Sequence, residues 1–433
     1  MVPWLTRCFR LEERGTSVRT EVLAGCTTFL TVSYIILVNP RVLSGAGMDA
    51  GAVLVATCLA AAFGCGVMGL YANYPIALAP GMGLNAYFAA IAVGTLGLSW
   101  QVGLGAVFCS GFLMLVLSVL PVREWVVNSI PRSQKMAIAA GIGYFLAIIG
   151  LRSAGVVAAS DATLLTLGDL AQWTVVLAAL GFASIAALEH RRIPGAVLIC
   201  ILGVALAGWI GGLSPAPASL VAAPPSLAPT ALQLDLAGAL EVGLVAIVFA
   251  FLMVDLFDTS GTLVAVLNEA GLTDADGRVP RLRRALVADS SATMAGALLG
   301  TSTTTSILES AAGVRAGGRT GLTALVVAGL FLVAILFAPV ATAVPAYATA
   351  PAILFVGCAM ARALRHVPWD DLTECIPAIV TAVAMPFTYS IANGIGLGLI
   401  TYALIKLLAG RRRELHPAVV TVAVLFAIRF VVQ

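Results

Sequence analysis

Three acidic side chains embedded in apolar sequence are the residues best suited to do chemistry. Asp255 and Asp258 lie in the stretch VDLFDTSG, and Glu309 closely follows residues 301–306, all of which are Ser or Thr. The spacing of the two aspartates puts them on one face of a helix, with Thr259 directly after them. An acid at the middle of a membrane helix costs about 2.5–3.5 kcal/mol, so these residues indicate ligand binding or proton transfer.

Cations that could neutralise these acids are missing from the nearby apolar sequence. Arg315 lies about two helical turns beyond Glu309. A titrating or solute-binding role is therefore favoured over a fixed ion pair.

Two further acids lie near the ends of apolar segments. Asp289 allows two interpretations: it could pair with Arg283 or Arg284, or it could belong to the same site as the other acids. Glu374 is predicted to be solvated.

Two apolar segments contain residues that interrupt a helix. Residues 75–90 read PIALAPGMGLNAYFAA, in which two prolines and two glycines precede Asn85, and residues 301–318 contain the hydroxyl run and Glu309. Proline removes a backbone donor and glycine loosens the chain, so both segments are predicted to break in mid-membrane and line a solute pocket. Simple proline kinks or a packed polar turn are the alternative interpretation.

The composition is that of an all-α integral membrane protein. Of 433 residues, 60% are hydrophobic and only 10% are charged, whereas soluble domains carry about 25% charged residues. Apolar segments near the roughly 20 residues needed to cross a bilayer fall at residues 22–43, 51–72, 75–93, 101–120, 131–151, 172–189, 194–212, 239–266, 284–300, 301–318, 319–341, 345–364, 372–391 and 393–410. A last apolar stretch, 417–432, is predicted to be interfacial or a partial span.

The distribution of Arg and Lys supports this division into two sets of seven spans. If the amino terminus is cytoplasmic, the cations at segment ends collect on the cytoplasmic side, except Arg41 and Arg152, with Arg429 undecided. An odd number of spans in each half makes the halves inverted. The motif LSGAG (43–47) after the first segment resembles LNEAG (267–271) after the eighth, and inverted repeats are typical of secondary transporters.

The sequence offers little support for an enzyme or a metalloprotein. It contains no HExxH or CxxC motif and no glycine-rich nucleotide loop, and its three histidines lie near arginines at predicted segment ends. We expect no enzymatic activity, no metal and no cofactor. The net charge of +3 is small and gives no indication of a nucleic-acid partner.

Five long motifs are specific enough to indicate a family. They are TEVLAGCTTFLTVSYIILVNP (20–40), ALAPGMGLNAYFA (77–89), FLMVDLFDTSGTL (251–263), ESAAGVRAGGRTGLTAL (309–325) and AYATAPAILFVG (346–357). Together they closely resemble the AzgA-like purine permeases, a branch of the nucleobase–ascorbate (nucleobase:cation symporter) transporters. The similarity extends from Arg19 to Arg413.

This resemblance implies a fold of 14 transmembrane spans in two inverted seven-span repeats, with interrupted third and tenth spans and an elevator-type movement of a core domain against a gate domain. The expected division is a cytoplasmic amino terminus (1–20), core (21–120 and 237–341), gate (121–212 and 342–410), extracytoplasmic linker (213–236) and cytoplasmic or interfacial tail (411–433). Family members import adenine, guanine, hypoxanthine or xanthine with protons, often as homodimers. We expect a multi-pass protein of a bacterial inner membrane.

The resemblance also assigns roles to individual residues. The expected substrate-binding residues are Gly83, Asn85, Asp255, Thr259, Leu308 and Glu309, and the expected proton-coupling residues are Asp255, Asp258 and Glu309. Leu308 falls where related transporters use backbone amides. The wider superfamily often has Glu at the position of Asp255, which leaves open whether Asp255 contacts the base directly or through water.

Two other transport functions stay open. An anion permease of the sulfate type can share this fold, but it needs positive potential between the half-helices, and three acids oppose that. A passive nucleobase facilitator would bind the same base without coupling to protons. Carboxylates that accept from the N–H groups of a purine, with half-helix amides that donate to its ring nitrogens or carbonyl oxygen, favour the purine–proton symporter.

Overall fold

The structure is a computed structural model that describes residues 2–89, 93, 97–119, 131–160, 164–240, 245–272 and 279–432. Nearly all of its regular structure is helical, so the predicted all-α membrane class is confirmed. Within the described residues, seven helical stretches are long and apolar enough to cross a membrane: Val18–Ser44, Ala50–Ala72, Trp100–Val119, Arg132–Ser153, Trp173–His190, Gly321–Ala343 and Ala346–His366. Shorter apolar helices account for several of the other predicted segments.

The first half of the chain contains nine helices among the described residues, together with three short strands. They are α1 (Val2–Phe9), α2 (Val18–Val32), α3 (Ile35–Ser44), α4 (Ala50–Val67, continued by a π-helical turn, Met68–Ala72), β1 (Leu78–Pro80), α5 (Met82–Tyr87), α6 (Trp100–Val119), α7 (Arg132–Ser153), β2 (Val157–Ser160), β3 (Leu164–Leu167), α8 (Trp173–His190) and α9 (Ala196–Ile210). Strands β2 and β3 form an antiparallel hairpin.

The second half contains ten helices among the described residues, together with one short strand. Its elements are α10 (Leu236–Ala239), α11 (Val245–Glu269), α12 (Leu282–Leu299), β4 (Thr304–Ser306), α13 (Ser310–Arg315), α14 (Gly321–Ala334), α15 (Ala338–Ala343), α16 (Ala346–Ala361), α17 (Leu372–Phe387), α18 (Ile391–Leu408) and α19 (Pro417–Val432). Short 3₁₀ turns lie at Ile335–Phe337, Arg362–His366 and Arg412–Glu414.

The two interrupted segments have the same construction. In each, a long helix ends at a residue with left-handed backbone, Asn73 (φ 54°) or Gly300 (φ 94°), before a short strand and a short helix. No residue with a side chain fits at position 300, because a Cβ there would lie 2.2 Å from the Cβ of Thr230. The predicted interruptions of the third and tenth segments are therefore confirmed.

Strands β1 and β4 join the two halves of the chain. They pair antiparallel, with Leu78 opposite Ser306, Ala79 opposite Thr305 and Pro80 opposite Thr304. All six residues are buried. Pro80 has no N–H to donate, and it lies at the end of its strand, where the loss is tolerated.

Contacts divide the chain into two compact units. Unit 1 comprises residues 1–119 and 171–352, and unit 2 comprises residues 120–170 and 353–433. Unit 1 contains both interrupted segments and the helices around them. It also includes residues 171–212, which the family resemblance assigns to the gate. The predicted boundary between core and gate stays a prediction.

Unit 2 is built on α7, α17, α18 and α19, each packed on the next along this order. Residues 417–432, predicted to be interfacial or a partial span, form the helix α19, which lies against α18. The approach is close at Gly396, where a Cβ would lie 2.6 Å from the ring of Phe426.

A charged cluster lies in unit 2 around Lys406, which is fully buried. Its ammonium group lies 2.7 Å from carboxylate oxygens of both Glu374 and Glu414. Glu374 also accepts hydrogen bonds from Ser133 and Tyr402. The prediction that Glu374 is solvated is therefore wrong, because a buried ammonium group requires a paired carboxylate.

Candidate functional site

The candidate site is built where the interrupted segments cross. Main-chain hydrogen bonds extend the β1–β4 pairing on both sides, from the Gly81 N–H to the Thr303 carbonyl (2.9 Å) and from the Ile307 N–H to the Ala77 carbonyl (3.2 Å). Helices α5 and α13 begin just beyond the strands, and α11 packs against β4, α5 and α13. The helix that carries Asp255 therefore lies against both half-helices.

Side chains from the preceding helix hold the outer edge of each strand. On β1, the Cys65 thiol of α4 accepts from the Leu78 N–H (3.1 Å) and donates to the Leu78 carbonyl (3.3 Å). On β4, the Asp289 carboxylate of α12 accepts from the Ser306 N–H (2.7 Å), and Thr293 donates to the Thr304 carbonyl (2.9 Å). Leu78 and Ser306 are opposite each other, so the two clamps hold the two outer edges of the same paired strands.

Asp289 belongs to the site rather than to the end of its helix. It is fully buried, and its second oxygen accepts from the Thr259 hydroxyl at 2.9 Å, which itself lies 3.2 Å from an oxygen of the fully buried Asp255. Arg284, one of its two candidate partners, lies over the ring of Tyr71 at 5.6 Å. The Thr259 hydroxyl therefore lies between Asp255 and Asp289, and the predicted role of Asp255 and Thr259 in substrate binding stays a prediction.

For Asp258, the structure describes the backbone position only. Its backbone lies in α11, one turn from Asp255, and its side chain lies outside the described residues. Its predicted role stays a prediction.

Asn85 is held by a buried network of amides and hydroxyls. Its side-chain N–H₂ donates to the Asn39 carbonyl oxygen, and the Asn39 N–H₂ donates to the hydroxyls of Thr57 (2.7 Å) and Thr301 (2.9 Å). All four side chains are fully buried. Among the described residues, the Asn85 side-chain oxygen has no hydrogen-bond donor. Gly83, two residues earlier in α5, is half-buried.

Glu309 lies at the turn that leads into α13 and is half-buried. One carboxylate oxygen accepts a hydrogen bond of 2.7 Å from the hydroxyl of Tyr34, which lies between α2 and α3. The adjacent Leu308 is 56% exposed, which is unusual for an apolar residue in this region. In the described part of the chain, the N–H groups of Leu308 and Glu309 meet no acceptor.

The charge of Glu309 is not neutralised by a neighbouring cation. Arg315 pairs instead with Glu269 at the end of α11 (3.0 Å), and no other Lys or Arg of the described chain pairs with Glu309. The same residues contain no group of three or more His, Cys, Asp and Glu side chains that could hold a metal ion. The site can therefore accept hydrogen bonds at Glu309 and donate them from the adjacent backbone.

Sequence reasoning missed Tyr34 and Asn39. Both lie in the first apolar segment, which contains no acid, so a search for buried carboxylates does not find them. The signal available in the sequence was a polar residue directly before Pro40 within an apolar span, since such residues face the protein interior.

Comparison with known proteins covers the whole of this site. The profile of the permease family matches residues 19–397. The adenine permease AdeP of Escherichia coli is 49% identical over 99% of this chain and 96% of its own. The guanine/hypoxanthine permease PbuG of Bacillus subtilis is 43% identical over 98% of each chain.

Solved structures with the same fold are more distant in sequence. The transmembrane domain of the cyanobacterial bicarbonate transporter BicA superposes with a TM-score of 0.66 at 16% identity, over 89% of this chain and 97% of that domain. At this identity the likeness shows the fold alone.

Proposed function

Because this chain belongs to the permease family, in its AzgA-like branch of purine permeases, we propose that it imports purine nucleobases together with protons. The chain is a membrane transporter and not an enzyme. Its relatives over nearly the full length are named as adenine permeases and as guanine/hypoxanthine permeases, which supports a purine as the substrate class.

The observation that carries the proposal is the chemistry of the turn at Leu308 and Glu309. A half-exposed carboxylate that lacks a paired cation lies beside two backbone N–H groups with no acceptor among the described residues. A purine presents N–H donors and ring or carbonyl acceptors along one flat edge, so both kinds of group at the turn find partners. The exposed Leu308 side chain provides apolar surface for the ring.

The other predicted binding residues complete this assignment. Asn85 has a buried side-chain oxygen without a described donor, and Gly83 leaves the first turn of α5 without a side chain. Asp255 is fully buried, and the Thr259 hydroxyl lies between it and Asp289, so we propose that Asp255 acts on the base through Thr259 or water rather than by direct contact.

Proton coupling is proposed for Asp255, Asp258 and Glu309, and the Thr259 bridge supports it. The Thr259 oxygen lies within hydrogen-bond distance of both Asp255 and Asp289, yet a hydroxyl carries one hydrogen and can donate to one carboxylate at a time. A proton held on the other carboxyl group would complete the pair. The arrangement is therefore suited to gaining and losing a proton within the buried site.

We further propose an elevator movement in which the core domain carries the base past the gate domain. Every candidate site residue lies within the predicted core segments, 21–120 and 237–341, and the β1–β4 pairing joins the two core segments directly. We propose a bacterial inner-membrane location and a homodimer from the family resemblance, and a cytoplasmic amino terminus from the distribution of Arg and Lys.

Uptake into proteoliposomes tests the function and its alternatives together. With the purified protein and an inwardly directed proton gradient, labelled hypoxanthine or adenine should accumulate above its external concentration, and a protonophore should abolish that accumulation. Equilibration without accumulation would indicate a passive facilitator. Replacement of the proton gradient by a sodium gradient should give no accumulation.

A parallel uptake assay separates the anion permease from the purine permease. Labelled sulfate and bicarbonate should enter the proteoliposomes no faster than they enter protein-free liposomes. Rapid anion uptake without purine uptake would refute the proposal, and competition by adenine, guanine, xanthine and uracil would define which base is preferred.

A further inference from the structure

Tyr34 contacts the candidate site, but none of the roles proposed for substrate binding or proton coupling involves it. Its hydroxyl donates to Glu309 at 2.7 Å across the interface between the first span and the tenth. The tyrosine is 3% exposed, so the ring is fixed by packing and the hydroxyl has little freedom to turn to water. Within the described part of the chain, Tyr34 is the one side chain that donates to Glu309.

The backbone explains why the phenol is held so firmly. Tyr34 lies where α2 ends and α3 begins, and its carbonyl accepts from the N–H groups of both Leu37 and Val38 (3.0 Å each). In the register set by LSGAG (43–47) and LNEAG (267–271), Tyr34 occupies the position equivalent to Asp258. Each repeat thus places a polar residue at this level of its first membrane span.

The hydrogen bond leaves most of the carboxylate available. A carboxylate has two oxygens with about four acceptor positions in all, and Tyr34 uses one of them. A free glutamate side chain would lose rotational freedom on binding a base, whereas one already oriented by a rigid phenol loses less. A residue that preorganises an acceptor in this way raises affinity without itself touching the ligand.

We infer that Tyr34 is a positioning residue for the substrate: it holds Glu309 in the orientation that accepts the N–H groups of the purine. This inference rests on the proposed function. It predicts that the effect of Tyr34 on binding passes entirely through Glu309.

Equilibrium binding of labelled hypoxanthine to the purified protein in nanodiscs tests the inference. Tyr34→Phe keeps the ring and removes the hydroxyl, and it should weaken binding about tenfold, the effect of one ordinary hydrogen bond. In uptake assays KM should rise by a similar factor while the maximal rate stays within about twofold of the wild-type rate. Tyr74→Phe is the matched control, because Tyr74 is also fully buried but lies against Arg281; its Kd should not change.

A double substitution separates positioning from a general structural effect. Glu309→Asp withdraws the carboxylate from the hydroxyl, so adding Tyr34→Phe to it should leave Kd unchanged. Independent, additive losses would overturn the inference, as would wild-type or tighter binding by Tyr34→Phe alone, since tighter binding would mean that the phenol competes with the base. If the unsubstituted protein binds no purine, the proposed function fails and this inference fails with it.

Discussion

Glu309→Gln is the most informative single substitution at the candidate site. The change keeps the size of the side chain, and a glutamine oxygen can still accept from the Tyr34 hydroxyl. The half-buried position and the fold of the turn should therefore survive. What changes is the charge, together with the second oxygen, which becomes an N–H₂ donor.

The magnitude follows from the hydrogen bonds that change. A hydrogen bond to a charged group contributes about 1.5–3 kcal/mol and one to a neutral group about 0.5–1.5 kcal/mol, so the loss of charge costs about 1 kcal/mol. A donor that faces a purine N–H leaves both donors unpaired, which costs about 1–3 kcal/mol more. The total of about 2–4 kcal/mol corresponds to a loss of roughly 30- to 1,000-fold in affinity.

Binding and uptake of hypoxanthine should both report this loss. Glu309→Gln should abolish accumulation while the amount of protein in the membrane stays at the wild-type level. Glu269→Gln is the control, because Glu269 lies at the end of α11, is 40% exposed and pairs with Arg315. Accumulation by Glu309→Gln at the wild-type rate would refute the role assigned to this carboxylate.

Three further substitutions test other parts of the molecule. Asp258→Asn should alter the pH dependence of uptake more than the choice of base; altered selectivity with an unchanged pH profile would reverse that assignment. Cys65→Ala leaves the Leu78 N–H and carbonyl on the buried strand edge unpaired, which should cost about 1–3 kcal/mol, whereas Cys65→Ser should keep most of the stability; equal melting temperatures of the two variants in detergent would contradict the clamp. Hydrogen bonds from Thr373 and Arg411 lower the pKa of Asp371 to about 2, so the Asp371–Arg411 pair should persist at every pH above about 4 and be lost only as the pH falls towards 2. Asp371→Asn should speed amide hydrogen exchange over residues 411–416 at neutral pH, and unchanged exchange would show that the pair does not hold the tail.

The arrangement of spans could be predicted from the sequence because it depends on local properties. Runs of apolar residues locate the helices, Pro80 and Gly81 lie in the break between two of them, and Gly300 lies where α12 ends. Asp255 and Glu309 stand out in the sequence for a similar reason, since a carboxylate in apolar sequence is costly wherever the chain places it, and their roles stay predictions.

The partners of these residues could not be predicted, because they depend on contacts between distant parts of the chain. Nothing near Glu309 in the sequence indicates Tyr34, and nothing near Asn85 indicates Asn39. Asp289 illustrates the difficulty: its neighbours in sequence are arginines, but its partners in space are Ser306 and Thr259. The error at Glu374 has the same origin, since the buried Lys406 that requires it lies on another helix.

The β1–β4 pairing that joins the two repeats is made of main-chain N–H and C=O groups. Every residue type except proline supplies both of these groups. The pairing therefore stays the same when side chains change. The choice of substrate can then depend on the few side chains just beyond the ends of the two strands. The transmembrane domain of the bicarbonate transporter BicA shares this fold at 16% identity, so the fold alone does not specify the substrate.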